Sequence, residues 1–238
     1  MMMVDFRKWK TEDESEATDF TKMNSEVQKI VEDYDFGSVI FFANNIKETE
    51  QSYNLTMDLQ KAATKDNGIP LLISADQEGG SVYRLGSGTA LPGNMALGAT
   101  GDVNNAKIAG EIIGSELSSL GINTNLAPVV DVNNNPSNPV IGLRSYGDDA
   151  EMVGKMASAE IEGLAEYNVI GCAKHFPGHG DVATDSHYGL PIVNKSKEEL
   201  LNNELKPYQV AINQGIEMIM SAHILYPQLD NTTVYSEK

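Results

Sequence analysis

Six short apolar runs punctuate the chain, at residues 1–6, 37–42, 70–75, 123–130, 169–173 and 216–222, and each has the length and character of a buried strand. The stretches between them are amphipathic. Ala106, Ala109, Ile113, Leu117 and Leu120 recur at three- and four-residue spacing, with Asp102 placed to cap the first turn and Gly121 to end the last, which predicts a helix over 102–121. Met152, Val153, Met156, Ala157, Ile161 and Leu164 predict a second helix, in which the methionines serve as core filler. A third, marked by Leu201, Leu205, Tyr208 and Ile212, opens with the capping-box pair Ser196 and Glu199 and closes at Gly215.

Strand followed by helix, repeated without blocks of either kind, is the form of right-handed βαβ units and a parallel sheet. A dinucleotide-binding doubly wound sheet would carry Gly-x-Gly-x-x-Gly in its first strand-to-helix turn, and the first glycine of this chain is Gly37. The expectation is therefore an α/β barrel. The stretch 133–139 (NNNPSNP) reads as a long ordered loop within one domain.

Charge narrows the function. The 238 residues include 34 acids and 17 bases, a formal charge of −17, which disfavours binding of nucleic acid or an anionic membrane surface through bulk charge. No apolar run approaches the roughly 20 residues of a membrane span. The single cysteine, Cys172, excludes a disulfide framework and reads as a small buried hydrophobe within a strand.

In a parallel barrel the loops at the carboxyl ends of the strands converge over one mouth, and active sites are built there. Asp76, Gln77 and Glu78 follow the third apolar run, Asp131 the fourth, Lys174 and His175 the fifth, and His223 the sixth. Four consecutive strand ends thus carry polar, reactive side chains. Three of the four histidines, His175, His179 and His187, fall within residues 174–187 (KHFPGHGDVATDSH), on a loop with Gly/Pro turn chemistry. Two chemistries are open for this loop. Metal binding would draw on its His and Asp side chains, but the spacing of His175, His179 and Asp181 matches no helix-borne ligand motif. Acid–base chemistry would draw on Asp185 and His187, which in extended backbone point the same way, so that the carboxylate orients the imidazole and favours its protonated form.

The loop 174–187 resembles the signature of the β-N-acetylglucosaminidases of glycoside hydrolase family 3. Residues 76–80 (DQEGG), 125–133 (NLAPVVDVN), 141–146 (IGLRSY) and 221–227 (SAHILYP) resemble further stretches of that family in the same order. The resemblance implies a (β/α)8 TIM-barrel-like domain and retaining hydrolysis of a terminal β-linked N-acetylglucosamine, in peptidoglycan-type or chito-oligosaccharide substrates, with no cofactor and no metal. It implies His187 as general acid/base with Asp185 orienting it, and Asp76, Arg84, Arg144, Lys174 and His175 as ligands of the terminal sugar. Those residue types suit the roles, since a carboxylate accepts from two hydroxyls and the cations donate to hydroxyl or carbonyl oxygens. For Arg144 a structural ion pair with a carboxylate such as Asp131 is the competing expectation. His179 and His223 are expected to support the loop and the strand end.

The family's nucleophile is an aspartate at the end of a seventh strand, after the Ser-Ala-His stretch. About six of eight βα units are expected within 1–238, as an incomplete barrel domain shortened at both ends, whose exposed sheet edge would favour self-association. An inactive sugar-binding remnant, a β-glucosidase and a phosphorylase of the same family remain open as alternatives. Localisation in the bacterial cytoplasm or outside it is left open.

Overall fold

The computed structural model describes residues 2–66, 68–183, 189–230 and 232. Asp185 and His187 lie outside the described residues. The elements run β1 (Met3–Asp5), β2 (Lys8–Trp9), β3 (Thr18–Asp19), α1 (Ser25–Tyr34), β4 (Ser38–Phe41), α2 (Thr49–Ala63), β5 (Leu72–Ala75), α3 (Asn94–Ala99), α4 (Val103–Ser119), β6 (Thr124–Asn125), α5 (Ala150–Ala165), β7 (Ile170–Phe176), α6 (Lys197–Asn202), α7 (Lys206–Asn213) and β8 (Met218–Ser221). β1, β4, β5, β6, β7 and β8 pair in that order, every neighbour parallel, in one curled sheet that forms a half-barrel. All six expected strands are present, each inside or overlapping its apolar run.

Sequence chemistry explains the helix ends. Asp102 caps α4 by accepting from the Asn104 amide, Asp149 caps α5 by accepting from Glu151 and Met152, and Ser196 and Glu199 form the expected capping box on α6. The helix expected over 196–215 is two helices. Pro207 sits in the first turn of α7, where it has no amide to donate and its ring would collide with the carbonyl four residues back, so the chain breaks at Asn203–Leu205 and restarts. That break turns Glu204 inward, to 2% exposure. The antiparallel pair β2–β3 lies between β1 and α1 and was not expected, because two-residue strands in an acidic, polar stretch carry no period.

Between sheet and helices, Val39, Phe41, Ile73, Leu117 and Ile122 are fully shielded in the main core, each contributing about 1.5–3 kcal/mol by burial. Val153, Met156, Ala157 and Tyr208 join α5 and α7, with Met156 filling core as expected. A third, small cluster of Val182, Val193, Leu200 and Tyr226 lies under the loop that follows β7. β6 is short, and side chains replace its missing ladder bonds: the Asn125 amide group exchanges two hydrogen bonds with the backbone of Gln77, at 3.0 and 2.9 Å. This fixes the β5 strand end, where Asp76 begins the site.

Candidate active site

The strand ends converge on a cleft of about 410 Å³ lined by Asp76, Glu78, Arg84, Arg144, Lys174, His175, His179 and His223, with Phe42 and Met220 as apolar walls. Five of the residues expected to bind sugar are therefore brought together. Lys174, on the inner side of β7 and 2% exposed, reaches Asp76 Oδ1 at 2.9 Å and Glu78 Oε1 at 2.6 Å. Arg144 grips the same Glu78 carboxylate with Nε at 2.8 Å and Nη2 at 2.7 Å, a two-toothed geometry that fixes both partners. Arg84 Nη2 stands 3.6 Å from Asp76 Oδ2, and its guanidinium lies 5.8 Å from the Phe42 ring centroid.

Three cations thus face two carboxylates at the cleft floor, where Lys174 and Glu78 are buried. Burial alone would push the Glu78 carboxyl up, but hydrogen bonds from Arg144 and the charges of Lys174 and Arg144 outweigh it and hold the group at about 2. Burial likewise opposes the Arg144 charge, and the Glu78 carboxylate more than restores it. Both stay ionised across the working pH range. Glu78 was named by its place after the strand and given no role in binding; it is the hub that aims Lys174 and Arg144. The signal was its spacing from Asp76, two residues on.

The expected ion pair of Arg144 with a carboxylate is present, but its partner is Glu78 and not Asp131, the example the sequence offered. Asp131 orients His175 instead. Its Oδ2 lies 2.8 Å from His175 Nδ1, and its Oδ1 accepts the amides of His175 at 3.2 Å and His179 at 2.7 Å. With Nδ1 engaged, Nε2 is the nitrogen His175 has for a ligand. Burial lowers the His179 imidazole below its usual range, against the pull of Asp131. This fits a support that packs edge-on against His175, ring centroids 5.6 Å apart.

Arg144 is carried on a short 3-10 turn, Gly142–Arg144, whose far end is anchored by a hydrogen bond from the Tyr146 hydroxyl to Glu160 on α5. Glu160 is fully buried, and desolvation raises its carboxyl to about 7 even though the Tyr146 bond draws it down. Asn94 Nδ2 donates to the Arg144 carbonyl at 3.0 Å from the other side. Among the described residues no group of three or more His, Cys, Asp or Glu side chains is placed to hold a metal ion.

A curled parallel half-barrel with an ionic cleft at its carboxyl mouth has the architecture of a TIM-barrel-like domain. The chain belongs to glycosyl hydrolase family 3, matching that family's N-terminal domain over residues 1–238. It is 41% identical over its whole length to Beta-hexosaminidase A of Pseudoalteromonas piscicida, covering 42% of that protein. A β-N-acetylglucosaminidase of this family from Paenibacillus sp. superposes with a TM-score of 0.87 at 45% identity, over 90% of this chain and 41% of its own. NagZ from Neisseria gonorrhoeae, solved in complex with N-trifluoroacetyl-D-glucosamine, superposes with a TM-score of 0.84 at 32% identity, over 96% and 65% of the two chains. The chain spans between 42% and 59% of the length of the beta-hexosaminidases it matches.

Proposed function

We propose that this domain serves a retaining exo-β-N-acetylglucosaminidase acting on terminal β-linked N-acetylglucosamine of peptidoglycan-type or chito-oligosaccharide chains. The observation that carries the reading is the buried Asp76–Lys174–Glu78–Arg144 network at the cleft floor, in a chain whose relatives are named beta-hexosaminidases. Asp76 accepts from sugar hydroxyls; Lys174, Arg84, Arg144 and His175 Nε2 meet hydroxyl and carbonyl oxygens. A sugar hydroxyl both gives and accepts, so it can join this network without leaving a buried charge unpaired.

His187, oriented by Asp185, protonates the glycosidic oxygen as a carboxylate attacks the anomeric carbon and the aglycone leaves. The family pattern puts that carboxylate after the stretch 221–227. Neutral His187 then takes a proton from water as the water attacks the same carbon, which releases the sugar with its configuration retained.

The test is turnover of aryl β-N-acetylglucosaminide against aryl β-glucoside by the full-length protein, with the first-formed anomer followed by NMR and phosphate both present and absent. The expected result is β-anomer, a strong preference for the N-acetyl sugar and no phosphorylated product. An α-anomer, a preference for glucoside, or sugar 1-phosphate would reject the retaining mechanism, the specificity or hydrolysis in turn.

A further inference from the structure

The loop that carries Asp185 and His187 leaves β7 and returns to α6, and both of its stems are described. Asp181 stands on the outgoing stem and Lys195 on the returning one, and Lys195 Nζ lies 3.1 Å from Asp181 Oδ2. The same ammonium bonds to Glu204 Oε1, the carboxylate that the α6–α7 break turns inward. Glu204 also accepts from Asn134 Nδ2 at 2.7 Å, on the loop that follows β6. Burial works against the Lys195 charge, and the two carboxylates outweigh it, so the ammonium persists.

The fit around this group is close. A Cβ on Gly178 would meet Glu204 Cγ at 2.8 Å, and Gly178 holds φ at +146°, so both space and backbone call for glycine there. Asn138 Nδ2 donates to the His179 carbonyl at 2.8 Å, and Asn135 Nδ2 to that of Asp181 at 3.3 Å, which fixes the outgoing stem. The returning stem is fixed by Val193, whose amide bonds to the Leu225 carbonyl at 3.0 Å. Among the described residues the stems rest on the small cluster of Val182, Val193, Leu200 and Tyr226, with Leu205 and Ile224 packed against it. The Lys195 ion pairs join the returning stem to the outgoing one and to the α6–α7 break.

We propose that Lys195, Asp181 and Glu204 form an ionic clasp that holds the two stems of this loop together and through them positions the acid/base pair. These are positioning residues, and the role presupposes that His187 is the acid/base. Opening the clasp would act through the stems on the proton donor and leave the sugar ligands, whose charges hold one another at the cleft floor, in place. The signature is therefore a dependence on the leaving group. An aglycone that needs no proton to depart is indifferent to the donor's position.

In the full-length protein, Lys195→Met is expected to lower kcat/KM on an alkyl β-N-acetylglucosaminide by about 10- to 100-fold, while kcat/KM on the 2,4-dinitrophenyl glycoside stays within about two-fold. The inhibition constant of free N-acetylglucosamine should hold within about two-fold, and Lys195→Arg should recover most of the loss, because it keeps the charge. Equal losses on both substrates, or none on either, would overturn the clasp. Should Lys195→Met fail to fold, Asp181→Asn, which removes one charge from the partly exposed end of the clasp, reads out the same ratio. His187→Ala separates the two layers. If it leaves the alkyl glycoside activity intact, the acid/base reading fails; if it abolishes that activity while both clasp variants are silent, the clasp alone fails.

Discussion

The floor of the cleft and the loop beside it are held by different means. Floor residues project from the ends of β5 and β7 and from the 3-10 turn, and their charges are neutralised by one another at 2.6–2.9 Å. The loop stems rest on a satellite core of four buried side chains and on single hydrogen bonds to neighbouring loops. Under the proposed function the floor would hold the sugar, and the first arrangement reduces the side-chain entropy lost on binding. The proton donor proposed for the loop would be positioned by the second.

Breaking the floor should be the costliest change. Glu78→Gln leaves Lys174 and Arg144 facing each other in a buried site without their shared counter-charge, and unfolding in urea should show a loss of about 3–5 kcal/mol. Affinity for N-acetylglucosamine should fall with it. The next effect belongs to the loop: a Cβ on Gly180 would stand 1.7 Å from the Val132 carbonyl oxygen, so Gly180→Ala must shift the outgoing stem, at about 1–3 kcal/mol. Hydrogen exchange should speed at Val193 and Leu225 and leave the β5 amides unchanged; equal acceleration in both regions would erase the distinction between them.

The smallest effect is a pH dependence behind the Arg144 turn. The Glu160 carboxyl is raised to about 7 in the folded state, so its contribution is full below the unfolded value, near 4.5, and is lost as pH rises through 7. Relative to Glu160→Gln, the natural protein should lose on the order of 2 kcal/mol between pH 5 and 8. A flat difference across that range would show that Glu160 is not held protonated.

Much of this was legible in the chain. Apolar runs located all six parallel strands, and capping residues located the starts of α4 and α6, because burial and orphan amides act locally. Asp76, Arg84, Arg144, Lys174 and His175 were named from motifs and do line one cleft. Pairing was not legible. Asp131 and Glu78 are both strand-end carboxylates, and only the three-dimensional path of the 141–146 turn decides that Arg144 meets Glu78 while Asp131 takes His175. The helix break at 203–205 was also missed, although Pro207 announced it, since the apolar spacing runs on undisturbed across the gap.

The most direct test of the division between floor and loop is a paired measurement on His187→Gln in the full-length protein: the inhibition constant of N-acetylglucosamine and kcat/KM on an alkyl β-N-acetylglucosaminide. The account predicts an inhibition constant within about two-fold of the natural protein and a rate lower by about 10²–10⁴. An unchanged rate, or affinity lost in step with it, would contradict the account.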